Sequence, residues 1–188
     1  MAILAGDGLL SAAYEVMTKD MLMYMDNPVM LNRKVRACFE LSKGTGVRGM
    51  VAGQVADLEA ENTICSTDML DYIHTNKTAA FIKSCMLCGA YLGGANKTKI
   101  EEAAKFGESL GLAFQIADDI LDSAEASADG KSEDESKSTY PSVYGIEESR
   151  EKSLYLLDKA KNIMKDYYDN AEVFNFVVDD IIRKISNV

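Results

Sequence analysis

An all-α fold is predicted by three features of the sequence. Apolar residues recur at i, i+3 and i+4 along almost the whole chain. No stretch shows the strict apolar–polar alternation of a half-buried strand. Only two prolines, Pro28 and Pro141, interrupt a chain rich in Ala, Leu, Met, Lys and Glu, which are good helix formers.

The periodicity predicts a first helix from about Ala2 to Met25, stopped by Asn27 and Pro28. A second covers about Val29 to Lys43 and ends at Gly44. A third runs from Val47 to about Glu61 and contains Gly49 and Gly53. Ser66 or Thr67 caps a short turn over Asp68 to Ile73, and a fourth helix extends from near Thr75 to Gly94.

Thr98 and Glu101 have the spacing of a capping box and open a fifth helix reaching about Asp122. At 1.5 Å per residue it is about 37 Å long, enough to span a domain. Residues 123 to 139, "SAEASADGKSEDESKST", are polar and aperiodic and read as an exposed loop. After Tyr140 and Pro141 a helix follows with Leu154, Leu157, Ala160 and Ile163 on one stripe. Asn170 caps the last, where Val173, Val177, Ile181 and Ile185 repeat every four residues.

Glycines inside helices cost about 1 kcal/mol each against alanine, so their spacing is informative. Gly49 and Gly53 are four apart, as are Gly107 and Gly111. Each pair makes a flat stripe where another helix approaches closely. Tight bundle packing explains the stripes; a cavity shaped for a long ligand is the sharper alternative.

With 188 residues and 47% hydrophobic content, the chain fits one well-buried domain rather than a disordered one. A net charge of −10 argues against a nucleic-acid binder, which needs a basic face. No apolar run reaches the roughly 18 residues of a membrane span. The opening "MAILAGDGLL" has no basic segment and carries Asp7, unlike a signal peptide. It enters helix-like sequence directly, with no capping residue ahead of it.

Cys38, Cys65, Cys85 and Cys88 fit a reduced, cytoplasmic protein. "CMLC" lacks the second pair of a zinc motif and His74 is the sole histidine, so small core cysteines on a helix are expected. "EASADGKSEDES" fails as a calcium loop, because Ser136 stands where a bidentate Glu belongs.

The stretch "AFQIADDILD" places Asp118, Asp119 and Asp122 among apolar residues with no Lys or Arg. On a helix Asp118 and Asp122 lie one turn apart, and like charges so close disfavour one another's ionisation. A hard divalent cation removes that conflict, and Mg²⁺ typically bridges one or two carboxylates to a phosphate. A solvated helix end is the plainer alternative, and D-D-x-x-D alone is weak. Lys77 and Thr78 near the start of the fourth helix, with Lys131 and Lys137 on the loop, supply candidate phosphate contacts.

In combination the motifs are specific. "AILAGDGLL", "GVRGMVAGQVADLEAE", "IHTNKTAAFIKSCMLCGAYLGGA", "FGESLGLAFQIADDILD" and "KSTYPSVYGIEESR" occur in this order. Together they closely resemble the trans-isoprenyl diphosphate synthase family, across essentially the whole chain.

The resemblance implies an isoprenoid synthase-type helical bundle around an apolar pocket, usually homodimeric. In such enzymes two aspartate-rich motifs hold Mg²⁺ on an allylic diphosphate, which leaves, and isopentenyl diphosphate attacks the allylic cation. Asp118, Asp119 and Asp122 match the second motif as metal ligands. Lys77, Lys131 and Lys137 match lysines on the allylic diphosphate. Thr78, Gln115 and Asp57 match polar positions at the reaction centre. Gln54 matches the glutamine of G-Q-x-x-D, and Phe114 an aromatic near the isopentenyl chain.

By the same resemblance, residues 1–188 are expected to be the C-terminal portion of a single isoprenoid synthase domain. The first aspartate-rich motif would precede "AILAGDGLL", so this chain alone is expected not to make prenyl diphosphates. Only five residues separate Lys131 from Lys137, fewer than is usual in the family. Two alternatives are a non-catalytic subunit of a heterodimeric prenyltransferase and a terpene cyclase of the same fold. The lysine of "KT" and the "KSTYP" run favour the synthase.

Overall fold

A computed structural model describes residues 1–61, 65–128, 138–165 and 171–188. Within them every regular element is helical. The helices are α1 (Ala2–Leu22), α2 (Pro28–Thr45), α3 (Met50–Ala60), α4 (Thr67–His74), α5 (Ala80–Leu92), α6 (Lys97–Ala128), α7 (Tyr140–Tyr144), α8 (Ile146–Lys165) and α9 (Glu172–Ser186). A π-helical turn, Thr75–Ala79, joins α4 to α5.

Local chemistry explains most of the boundaries. Asn27 accepts from the Met30 amide at 3.0 Å, and Pro28 at the first helical position loses no hydrogen bond there. Ser66 caps α4 by accepting from the Met69 amide at 3.2 Å. Asn96 rather than Thr98 caps α6, accepting from the Lys99 amide at 3.0 Å. Gly94, at φ 71°, makes the left-handed turn ahead of that cap. Asn170 lies outside the described residues.

Helix α6 is the centre of the bundle. It has 32 residues, about 48 Å of helix, and it extends past Asp122 into the segment expected to be loop. Phe106, Leu110, Ala113, Ile116, Ala117 and Ile120 are all buried along it. Helices α5, α7, α8 and α9 and the π-helical turn pack against it. Ser153 of α8 belongs to the same core and satisfies its hydroxyl on the Ala113 carbonyl of α6 at 3.0 Å.

The expected faces of the last two long helices are rotated. On α8 the buried row is Ser149, Ser153, Leu156, Leu157, Ala160 and Met164, while Leu154 and Ile163 are only half-buried. On α9 Val173 and Val177 are exposed, and Val178, Ile181 and Ile185 are buried. Phe174 joins that row with an edge-on contact to Phe106, centroids 5.4 Å apart.

Glycine allows the closest helix approaches. A Cβ at Gly107 would lie 2.6 Å from Lys83 Cα, and one at Gly111 would lie 2.6 Å from Ala79 Cα. The α6 stripe is thus a backbone-to-backbone contact. Gly44 does not end α2 as expected but sits inside it, against Ser84 of α5. Gly49 caps α3 from outside the helix.

Helix α1 has no buried residue, and Ile3, Leu4, Leu9, Leu10 and Val16 are exposed on it. An ion pair of 2.5 Å between Asp20 and Lys34 ties it to α2. All four cysteines are free thiols, yet only Cys65 is buried. Cys85 is exposed and Cys88 half-buried, so the expected core placement of the "CMLC" pair does not hold. No helix among the described residues is long and apolar enough to cross a membrane.

Candidate active site

Lys77 and Thr78 do not begin a new helix. They lie in the π-helical turn that makes α4 and α5 one continuous rod. Such turns insert an extra residue into a helix and recur at functional sites. Two glycines clasp this one. A Cβ on Gly53 of α3 would lie 2.2 Å from Lys77 N and 2.5 Å from Lys77 Cα, while Gly111 of α6 abuts Ala79 from its own helix.

Because the atoms opposing Gly53 are backbone, a methyl group there forces the turn to move. Gly53→Ala is expected to destabilise the protein by about 1–3 kcal/mol, as overpacking generally does. Urea denaturation of the two proteins checks this, and an unchanged midpoint would show that the contact is slack.

From the turn, Lys77 Nζ reaches Asp57 Oδ2 of α3 at 2.5 Å. Thr78 donates its hydroxyl to Gln115 Oε1 of α6 at 2.6 Å. Gln115 Nε2 contacts Asp119 Oδ1 at 3.4 Å. The structure thereby makes two polar links to the turn, Asp57–Lys77 from α3 and Thr78–Gln115–Asp119 from α6.

The three aspartates do not converge. Asp118 and Asp122 share the exposed side of α6, whereas Asp119 is buried. Successive helical residues point about 100° apart, so an i, i+4 pair shares a side that i+1 cannot. Asp119 instead receives the Tyr140 amide at 2.9 Å and lies 3.3 Å from His74 Nε2. Among the described residues no three His, Cys, Asp or Glu side chains are arranged to hold a metal jointly.

Among the described residues neither Asp118 nor Asp122 has a basic side chain within ion-pair distance. Burial pushes the Asp118 carboxyl above its usual range, and Asp122 and Asp119 push it further against the pull of Lys77. Two neighbouring carboxylates short of positive charge are a donor set that fits Mg²⁺, which needs only one or two from the protein.

Phe114 and Gln54 are both exposed. Lys131 and Lys137 lie outside the described residues. Sequence reasoning missed His74, Tyr140 and Asp71. His74 and Tyr140 stack with centroids 4.9 Å apart, and the Tyr140 hydroxyl donates to Asp71. Burial, and then the Asp71 carboxylate, push the Tyr140 hydroxyl pKa upward. The available signal was His74 itself, a lone histidine one turn before Lys77 beside Leu70 and Ile73.

Comparison with known proteins decides the family, because the polyprenyl synthetase model matches residues 1–181. The chain belongs to the polyprenyl synthetase family. A dimethylallyltranstransferase of Fischerella ambigua is 36% identical over 191 residues, covering 98% of this chain and 54% of the relative. A farnesyl diphosphate synthase of Geobacillus stearothermophilus is 36% identical over 178 residues, covering 92% and 57%.

Among solved structures, an FPP/GFPP synthase from Zymomonas mobilis aligns with TM-score 0.81 at 27% identity. That alignment covers 96% of this chain and 60% of the other. This polyprenyl synthetase chain thus has the all-α isoprenoid synthase fold that its motifs imply, and it spans about half the length of the curated relatives it matches.

Proposed function

We propose that this polyprenyl synthetase chain serves a trans-prenyltransferase joining isopentenyl diphosphate to an allylic diphosphate. The observation that carries the reading is the exposed pair Asp118 and Asp122, without a basic ion-pair partner among the described residues, beside the Lys77–Asp57 and Thr78–Gln115 contacts. The relatives' names, a dimethylallyltranstransferase and farnesyl diphosphate synthases, support it.

In the reaction the allylic C1–O bond breaks, the isopentenyl double bond attacks C1, and a proton is lost. Mg²⁺ held by Asp118 and Asp122 would add positive charge to stabilise the departing diphosphate. Asp57 holds Lys77 in place, so that its ammonium meets the diphosphate oxygens as a point charge. Thr78 and Gln115, locked to each other, present oxygen dipoles to the positive charge that develops on the allylic carbons. Preorganised dipoles of this kind need no reorganisation during the reaction.

Lys131 and Lys137 are proposed as further contacts for the allylic diphosphate, and Phe114 and Gln54 as neighbours of the isopentenyl group. Residues 1–188 are proposed as the C-terminal portion of the synthase domain. The free thiols support a cytoplasmic location, and the exposed apolar residues of α1 support a homodimer.

The test supplies the full chain, meaning the longer synthase of which residues 1–188 are proposed as the C-terminal portion, with Mg²⁺, radiolabelled isopentenyl diphosphate, and dimethylallyl or geranyl diphosphate. Magnesium-dependent incorporation of label into a longer, acid-labile product is expected. A folded protein that incorporates none with any allylic acceptor contradicts the proposal.

A further inference from the structure

We propose that His74 is the positioning residue that fixes the aspartate-bearing segment of α6. Asp119 is the hub of a buried polar chain beneath the exposed pair Asp118 and Asp122. Both of its oxygens face donors inside the protein: Gln115 Nε2 at 3.4 Å from Oδ1, and the Tyr140 amide at 2.9 Å from Oδ2. His74 Nε2 stands 3.3 Å from the same Oδ2.

Three separate elements meet at this carboxylate, namely α4 through His74, α7 through Tyr140, and α6 itself. Asp118 adjoins Asp119 in the chain and Asp122 follows three residues later. Any rotation that releases Asp119 therefore re-aims the exposed pair.

His74 is well placed to hold that register. It is 4% exposed, and its ring lies against Tyr140, whose hydroxyl donates to Asp71 on the same helix as His74. Helix α4 thus grips the first residue of α7 at two points. His74 also stands one helical turn before Lys77, so a single rod carries both the lysine and the clamp on the aspartates.

Nδ1 of His74 is buried with no hydrogen-bond partner among the described residues. Of the two ring nitrogens it is Nε2 that faces a polar partner, the Asp119 carboxylate at 3.3 Å. His74 touches neither of the exposed aspartates, so its role is to position them. Groups that hold a metal site in place from behind are commonly worth about 10- to 100-fold in affinity or activity.

Two readouts test this, and only the kinetic one rests on the prenyltransferase reading. His74 is the only histidine of residues 1–188, so this stretch expressed by itself with ¹⁵N label has one imidazole spin system. The expected spectrum shows a proton on Nε2 that is protected from exchange, with the protection lost in Asp119→Ala. A proton on Nδ1, or rapid exchange on Nε2, overturns the proposal.

For kinetics, measured on the full-length synthase, His74→Phe keeps a ring against Tyr140 but removes the N–H that faces Asp119, whereas His74→Gln restores an N–H at similar reach. His74→Phe is expected to lower kcat about 10- to 100-fold with an unchanged melting temperature, and His74→Gln to recover most of the loss. Equal activities of the two variants, or a fully active His74→Phe, show that the histidine only fills space and overturn the assignment. Should the parent chain turn over no allylic acceptor, the reading under Proposed function falls, and the imidazole spectrum alone decides for or against His74.

Discussion

Lys77→Ala is expected to lower kcat/KM of the full chain at least about a hundredfold, the usual loss when one preorganised electrostatic group leaves a reaction centre. Lys77 is the basic side chain whose charge is felt at Asp118, and its ammonium is held 2.5 Å from Asp57. Removing it takes a positive charge from the diphosphate position and leaves Asp57, whose side chain is 16% exposed, without its partner. Lys77→Arg restores little, because a planar guanidinium does not reproduce the compact charge that Asp57 orients. Steady-state kinetics with a thermal melt of each variant checks both statements. Near-normal turnover by Lys77→Ala would remove the lysine from the site.

Asp118→Ala is expected to separate stability from activity. Turnover is expected to fall at least about a hundredfold with the loss of a carboxylate proposed to hold Mg²⁺. Without Mg²⁺, however, the variant melts no lower than the parent. The sign follows from the raised Asp118 pKa. A carboxyl whose folded-state pKa exceeds its unfolded value binds its proton more tightly in the native state. Native stability therefore falls as pH rises from the unfolded pKa through the folded one, and at neutral pH the charge is a net cost. Alanine removes that cost and the repulsion of Asp122. Melting curves across the acid range and at pH 7, beside kinetics, are the check. A variant that is destabilised yet fully active would invert the interpretation.

The helical architecture was legible because propensity, breakers and apolar period agree along the chain. The phases of the faces were less so, for a geometric reason. A strict i+4 row such as Val173, Val177, Ile181 and Ile185 drifts about 40° per step on a 3.6-residue helix. The row that stays against α6 alternates steps of four and three, through Phe174, Val178, Ile181 and Ile185. Leu154, Leu157, Ala160 and Ile163, a strict i+3 row, drift the opposite way, so Leu156 and Met164 take the outer core positions on α8.

The π-helical turn was hidden because a single inserted residue leaves the local apolar pattern unchanged. At the site, the spacing of Asp118 and Asp122 predicted their shared side. The burial of Asp119 was not legible, since it depends on His74 and Tyr140 arriving from α4 and α7. A histidine on an apolar helical face carries no mark of the partner it will meet.

The most direct test of the central claim, that the Asp118 and Asp122 pair completes a diphosphate site only with a divalent cation, is calorimetric titration of inorganic pyrophosphate into the full chain with and without Mg²⁺. Binding is expected with Mg²⁺, to be lost when the ion is chelated, and to be lost again in Asp118→Ala with Mg²⁺ present. Pyrophosphate that binds equally well without the ion, or Mg²⁺-dependent binding that survives in Asp118→Ala, would contradict it.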